Sequence, residues 1–416
     1  MEKTPQALYQ ERMKRVQDAV QLKVPDRVPF LPFFTFFPTN YAGINCQEAM
    51  YDYDKLGMAW KKMMIDFEPD MYNNPYALVA LGPLLDLLDY KQLKWPGRGV
   101  SSNQTYQFVE GEYMKPEEYD AFLSDPTDFA LRTFFPRISG ALGSFQHLPY
   151  IPSLYYLRLL TGTAVLAMPE VVSALESLLK AGKEALKMLS KSRAFIQEME
   201  AMGFPSQYGS GAYAPYDYIG DFYRGTEGVM LDMYRRPDKL LASMEKISPY
   251  IIQGAIKASR TTGNPIVFMP MHKGLDGFMS LAQFNTFFWP SLKRVILALI
   301  DGGLIPLVLW EGDCKSRLEV IRDIPKGKAI YWFERTDIFR AKEILGDTVC
   351  IRGNVPASLL CTGSPHEVKD YCKKLIDRVG KGGGFIMDGA IGIPDEAKPE
   401  NLKAMADTTK EYGVYL

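Results

Sequence analysis

The stretch PLVLWEGDCKS, residues 306–316, is an apolar run that stops on Glu311, Asp313 and Cys314. A chain that passes from continuous apolar side chains to several potential ligands is leaving a buried strand where polar groups are wanted. Outward from it the pattern repeats. NPIVFMPM (264–271) reads as the preceding strand, and 281–300 as a helix closed by Gly302 and Gly303. After it come a helix over 315–324, the strand KAIYWFE (328–334), a helix over 338–345 and the strand TVCIRGN (348–354). A helix over 365–380, the strand GGFIMDG (383–389) and a closing helix over 398–412 complete the series. Strands that alternate with helices in this way form a parallel sheet with the helices outside.

The first half supplies three more strands: RVPFLPF (27–33), PDMYNN (69–74) and a segment within 204–213. Eight strands predict an α/β fold of the (β/α)8 TIM barrel type, a single domain over 1–416. An inserted helical and hairpin region over 90–200 separates the second strand from the third. In such a barrel the chemistry sits at the C-terminal ends of the strands. Glu311 leaves the sheet there, and so do His272, Glu334, Asn354 and Asp388 from neighbouring strands. A carboxylate directly after Trp310 is costly to bury alone, which marks Glu311 as a ligand, a base or an ion-pair partner.

Composition narrows the class. The 416 residues carry 48 basic and 49 acidic side chains, a net charge of -1, and are 47% hydrophobic. No block of either sign suits a nucleic acid or an anionic membrane. The first 20 residues form a charged amphipathic helix without the apolar centre of a signal peptide, so a cytoplasmic location is expected. Five cysteines without a CxxC pair are expected to be reduced thiols. GKGGG (380–384) and YGSGAY lack the spacing of phosphate-binding loops.

Several longer pieces resemble the uroporphyrinogen decarboxylase superfamily. They are RVQDAVQLKVPDRVPF (15–30), APYDYIGDFYRGTEGVMLDMYRRPDKLLASMEKI (214–247), RGNVPASLL (352–360) and GGGFIMDGAIGIPDEAKPENLKAM (382–405). The resemblance implies a (β/α)8 barrel with one of two chemistries: cofactor-free decarboxylation of a porphyrinogen, or methyl transfer involving a corrinoid protein, usually with zinc. A porphyrinogen carries many carboxylates and calls for several arginines. Where the decarboxylases have an Arg-rich segment this chain has FFTFFPTNYAG (33–43), with no charge at all. The corrinoid-dependent methyltransferase branch is therefore expected, with a methoxylated or similar small methyl donor and a separate corrinoid protein as partners; a homodimer is compatible with the sequence.

The usual zinc ligands of that branch align with Leu309, Glu311 and Ile391, so the expected zinc set is His272, Glu311 and Glu334, with Asp313 or Cys314 as substitutes. Glu311, Tyr213 and Asp276 are the candidate catalytic residues. Phe34, Phe36, Asn74, Tyr76, Tyr216, Asn354 and Asp388 are the candidate substrate contacts. A decarboxylase or lyase acting on a small acid without metal is the alternative, and a barrel that only binds is a third class.

Overall fold

The computed structural model describes residues 3–150 and 155–415. Its first three regular strands, β1 (Leu93–Pro96), β2 (Gly99–Val100) and β3 (Gln107–Phe108), form a small sheet of their own in the order β2-β1-β3. The main sheet is parallel and six-stranded: β4 (Ser210–Gly211), β5 (Ile266–Met271), β6 (Ile305–Trp310), β7 (Ile330–Phe333), β8 (Cys350–Arg352) and β9 (Phe385–Ile386), in chain order. Two further segments complete a ring. Phe30 bridges Met387 in parallel, with Leu31 N donating to Met387 O at 3.1 Å, and Asp70 N donates to Phe30 O at 2.9 Å. Tyr72 bridges Ser206, and Gln207 N donates to Tyr72 O at 2.7 Å just before β4. The chain thus has the TIM-barrel architecture. The segment holding Phe30 stays short of a regular strand because Pro29 and Pro32 have no N–H to give the ladder.

A strand residue can point only inward or outward, and here the two directions build two separate cores. Leu31, Phe33, Ile266, Leu307, Leu309, Ile330, Trp332, Cys350 and Ile386 pack inside the ring. Their neighbours Phe30, Phe34, Val267, Val308, Trp310, Tyr331, Ile351 and Met387 pack outward, under the helices. Val16, Ala19 and Val20 of the helix Pro5–Val20 join the inner core and plug its N-terminal end. The opposite end is the open one. Between Tyr72 and Ser206 the chain runs through the small sheet and a series of helices, ending in the 33-residue helix Pro169–Ala201.

One inner position is ionic. Arg352, whose side chain is wholly buried, pairs with the equally buried Asp388 at 2.8 Å, and its guanidinium lies 4.3 Å from the Trp332 ring centre. It also donates to Leu31 O and Gln207 Oε1, so it ties the first, third, seventh and eighth segments of the ring together. Burial pulls the Arg352 pKa down, and burial pushes that of Asp388 up to about 6 against the pull of Arg352. Both shifts report desolvation that the pairing only partly offsets. We therefore expect Arg352→Met to cost about 3–5 kcal/mol in urea denaturation, because it strands a buried carboxylate. The double variant Arg352→Met with Asp388→Leu should lose less than the single one.

Candidate active site

The parallel register decides which side chains meet at the open end. Pro270 pairs with Leu309, and Met271 with Trp310, so His272 falls beside Glu311 one position further on. Leu309 pairs with Trp332 and Trp310 with Phe333, which places Glu334 next in the same row. Glu311 N donates to Met271 O and Glu334 N to Trp310 O, extending the ladder to these residues. His272 Nε2 then lies 3.6 Å from Glu311 Oε1.

The other face of the imidazole meets the loop after β4. Pro215–Tyr218 forms a short helical turn that continues as a wider π turn, Ile219–Arg224. Asp217 and Asp221, one turn apart, project from it towards the end of β5. Asp217, wholly buried, accepts from His272 N at 2.8 Å and from Lys273 N at 3.0 Å, which fixes the strand end. Asp221 Oδ2 holds His272 Nδ1 at 2.6 Å, and its other oxygen takes the Lys273 ammonium. One imidazole and one ammonium are therefore surrounded by Asp217, Asp221 and Glu311.

The protonation states follow. Burial opposes a charge on His272, but the hydrogen bond to Asp221, reinforced by Asp217 and Glu311, holds its pKa up at about 9. Burial, with the neighbouring charge of Asp221, raises Asp217 to about 7. Asp221 is itself lowered: burial works against ionisation and its hydrogen bond to His272 overrides it. Burial raises Glu311, His272 counteracts, and Glu334 adds to the rise. At neutral pH the centre is an imidazolium clamped between carboxylates.

The cluster is buried enough to shift these groups, yet the side chains of His272 and Glu311 remain 35% and 28% exposed. Below them Phe33 packs on Phe268 with ring centres 5.4 Å apart, on Trp332 at 5.6 Å, and Tyr208 packs on Phe268 at 5.3 Å. Phe268 and Tyr208 keep some exposed surface although they lie inside the ring, so its upper interior is not filled. Gly312 makes the row feasible. Its φ is +73°, and a Cβ there would lie 3.1 Å from that of Leu275.

Other expected site residues are placed elsewhere. Glu334 turns back, its Oε2 accepting from Gly312 N at 2.6 Å and its Oε1 3.5 Å from Arg335 Nε. Asp276 binds Ser316 through its backbone N and hydroxyl and pairs with Arg317 at 3.2 Å, so it braces two loops. Phe34 points outward by strand parity and stacks on Phe37; Phe36 is buried with its ring edge on Tyr106. Asn74 bonds Ser192 and caps its own turn, and the buried Tyr76 donates to Tyr53 O. Tyr216 is fully buried against Phe278 and Phe288. Asn354 donates to Glu334 O and Thr336 O beneath the rim, and Asp388 is the wholly buried partner of Arg352. Tyr213 remains half-buried above β4, packed on Tyr218 and Phe222.

Cys314 is buried, its thiol pushed up to about 12, and Asp313 caps the next turn through Lys315 N. Among the described residues no three His, Cys, Asp or Glu side chains are grouped to hold a metal ion. His272 and Glu311 face each other, but Glu334 is committed to the Gly312 backbone. The expected three-ligand zinc set does not fit this arrangement. Asp217, Asp221 and Lys273 are the residues that sequence reasoning missed. Their signal is the pair of aspartates four apart in YDYIGDF, which a helical turn brings to one face.

A barrel of eight parallel segments with its polar cluster at the C-terminal strand ends defines the class. Residues 171–412, more than half of the chain, match the family model described as uroporphyrinogen decarboxylase, and the chain belongs to that family. It is 27% identical over 183 residues to a uroporphyrinogen decarboxylase of Aromatoleum aromaticum, covering 43% of this chain and 50% of that protein. It is 31% identical over 138 residues to one of Chlorobium phaeovibrioides, covering 32% and 38%. The chain thus spans about half the length or less of these curated relatives. Among solved structures it is similar to a methyltransferase from Methanosarcina mazei, with a TM-score of 0.63 over 96% of this chain and 98% of that one. At 14% identity this likeness speaks for the fold. Among the described residues no single helix is long and apolar enough to cross a membrane.

The clamp on His272 is open to titration. Asp221→Asn removes the charge that most favours the imidazolium, so the His272 pKa, followed by NMR, should fall from about 9 towards the ordinary value of about 6.5. Because the folded pKa is raised, the clamp stabilises the fold fully below the unfolded value of about 6.5. That contribution is lost as pH rises through about 9, and the wild type should lose more stability over this interval than Asp221→Asn.

Proposed function

We propose that this protein removes a methyl group from a small methoxylated or similar donor and passes it to a corrinoid carried by a separate protein. One observation supports this reading above the others: a charged imidazole at the open end of the barrel, over an aromatic floor, while the arginine inside the ring and those at its closed end are held by carboxylates. The guanidinium inside the ring belongs to Asp388, Arg317 serves Asp276, and Arg15 and Arg27 serve Asp70. The likeness of fold to a methyltransferase along nearly the whole of both chains points the same way.

The chemistry assigns roles to the residues. A corrinoid carried by a partner protein would supply, when bound, the electron pair that takes the methyl group. As the carbon–oxygen bond breaks, its electrons remain on the oxygen, a poor leaving group unless it is protonated. His272 donates that proton from Nε2 while Asp221 holds Nδ1 and keeps the ring oriented. Glu311, as a carboxylate, supports the charged ring before transfer, and the neutral imidazole left afterwards regains its proton from water, which a pKa of about 9 favours at neutral pH. Tyr213 and the partly exposed rings of Phe268 and Tyr208 form the wall against which a small aromatic donor stacks. No role in this scheme depends on a bound metal.

The family's decarboxylase members keep a second reading in view, in which the same imidazolium protonates a carbanion left by carbon dioxide. The two readings release different products. With reduced cobalamin as the methyl acceptor, the protein should free a phenol or alcohol from a methoxylated donor, and the rate should fall as pH rises through about 9. His272→Gln should lower kcat by about 100-fold or more and leave KM nearly unchanged. Carbon dioxide release from small aromatic acids, without ether cleavage, overturns the methyl-transfer reading. Unaltered donor binding with no turnover by the wild type overturns both.

A further inference from the structure

The region between the second and third ring segments sends one stretch of chain back to the open end of the barrel. At its start Ser102 O accepts from Gln47 N at 3.0 Å, in the helix Cys46–Tyr51 that follows the first ring segment. At its end Tyr113 N and Met114 N donate to Tyr223 O at 2.8 and 2.7 Å, on the π turn that carries Asp221. Arg224 Nη1 donates to Glu112 Oε1 at 2.6 Å, and a Cβ on Gly225, whose φ is +69°, would lie 3.1 Å from Gly111 O. Between these points β3 pairs with β1, and Gln92 Nε2 beside them donates to Phe222 O at 3.1 Å. Residues 102–113 are therefore fastened at both ends, to the loops that follow the first and the third ring segments. Tyr106, between the two fastenings, is half-buried with its ring edge on Phe36, centres 5.9 Å apart. Its hydroxyl has neighbours on several sides of the opening. Burial raises the Tyr106 phenol, and Asp395 after β9 and Tyr213 after β4 add to the rise. Burial also raises Tyr208 inside the ring, Arg352 counteracts, and Tyr106 adds to that rise.

We propose that Tyr106 is a substrate-contacting residue, which covers the space above Tyr208 and Phe268 and selects a methoxylated ring whose second substituent is a neutral hydroxyl. The proposal rests on the methyl-transfer reading for the methoxyl group. Tyr106 lies outside residues 171–412, which match the family model, so this wall is added to the barrel by the chain's own insertion. Tyr106, Tyr208, Tyr213 and Phe268 all keep partly exposed surface although they lie in or over the ring. Tyr208 and Phe268 are stacked at 5.3 Å, and flat walls of this kind suit one planar ring. A phenol O–H drawn out of water needs a partner, and a ring hydroxyl, which both gives and accepts, provides one. Charge decides against an acid. Asp395, which accepts from Thr35 Oγ1 and Phe36 N at 2.7 Å each, sets a carboxylate beside Tyr106, and Asp221 stands beyond Tyr213. The guanidinium below is paired with Asp388. A carboxylate on the ring would stand among like charges there, whereas a hydroxyl would not.

Calorimetric titration of the full chain, without corrinoid, separates this contact from turnover. 2-Methoxyphenol should bind, and 2-methoxybenzoate should bind at least about 10-fold more weakly. Tyr106→Phe keeps the ring packed on Phe36 and removes only the hydroxyl. It should weaken 2-methoxyphenol by about 10-fold and change the affinity for methoxybenzene by less than about 2-fold. Tyr106→Ala should weaken both. An affinity for 2-methoxyphenol that Tyr106→Phe leaves unchanged overturns the proposal. So does 2-methoxybenzoate bound as tightly as the phenol, or a wild type that binds no methoxylated ring at millimolar concentration. Affinity that depends on Tyr106 while no donor is demethylated supports the contact and overturns methyl transfer, so the two failures are told apart.

Discussion

A side chain on a barrel strand has two directions open to it, and the whole molecule follows from how that choice alternates. Inward residues fill the ring in layers, outward residues hold the helices, and one position past the last apolar layer the inward direction becomes the wall of the opening. His272, Glu311 and Glu334 stand at that position on adjacent strands. They are neighbours because parallel strands pair in a fixed register, a constraint set by backbone hydrogen bonds far below them.

The barrel handles charge in two ways. Deep in the ring and at its closed end, arginines are consumed pairwise: Arg352 with Asp388, and Arg15 and Arg27 with Asp70. These pairs link segments far apart in sequence. At the open end the balance is reversed, with three carboxylates around one imidazole and one ammonium. An excess of acceptors around a half-exposed ring keeps it charged, and a charged ring next to space can give its proton away. The same desolvation that makes Arg352 and Asp388 structural makes His272 and Glu311 responsive.

Much of the fold was legible because it repeats. Apolar runs alternating with amphipathic helices over 264–412 read correctly, and the helices Ile338–Leu345 and 365–380 fall where the pattern placed them. The first two strands were weaker signals because prolines interrupt their ladders. Among the expected site residues, His272 and Glu311 stand directly at adjacent strand ends and meet there. Phe34 was misjudged because its aromatic run hides the parity, and Phe33 is the ring that faces inward. Tyr76, Tyr216 and Asn74 were misjudged because polar and aromatic residues near a rim also serve to brace it.

The sequence by itself determined the alternation of strands and helices, the kinship with one family and the strand ends on which polar chemistry would appear. These depend on periodicity and local composition, which a linear chain carries openly. Only the tertiary structure decided that Asp221 and Asp217 would close on His272 from another loop, and that Glu334 would turn to the Gly312 backbone. The structure also decided that the leucines of Pro169–Ala201 would be left facing outward. Those outcomes depend on which distant surfaces compete for the same side chain, and that competition exists only once the ring has closed.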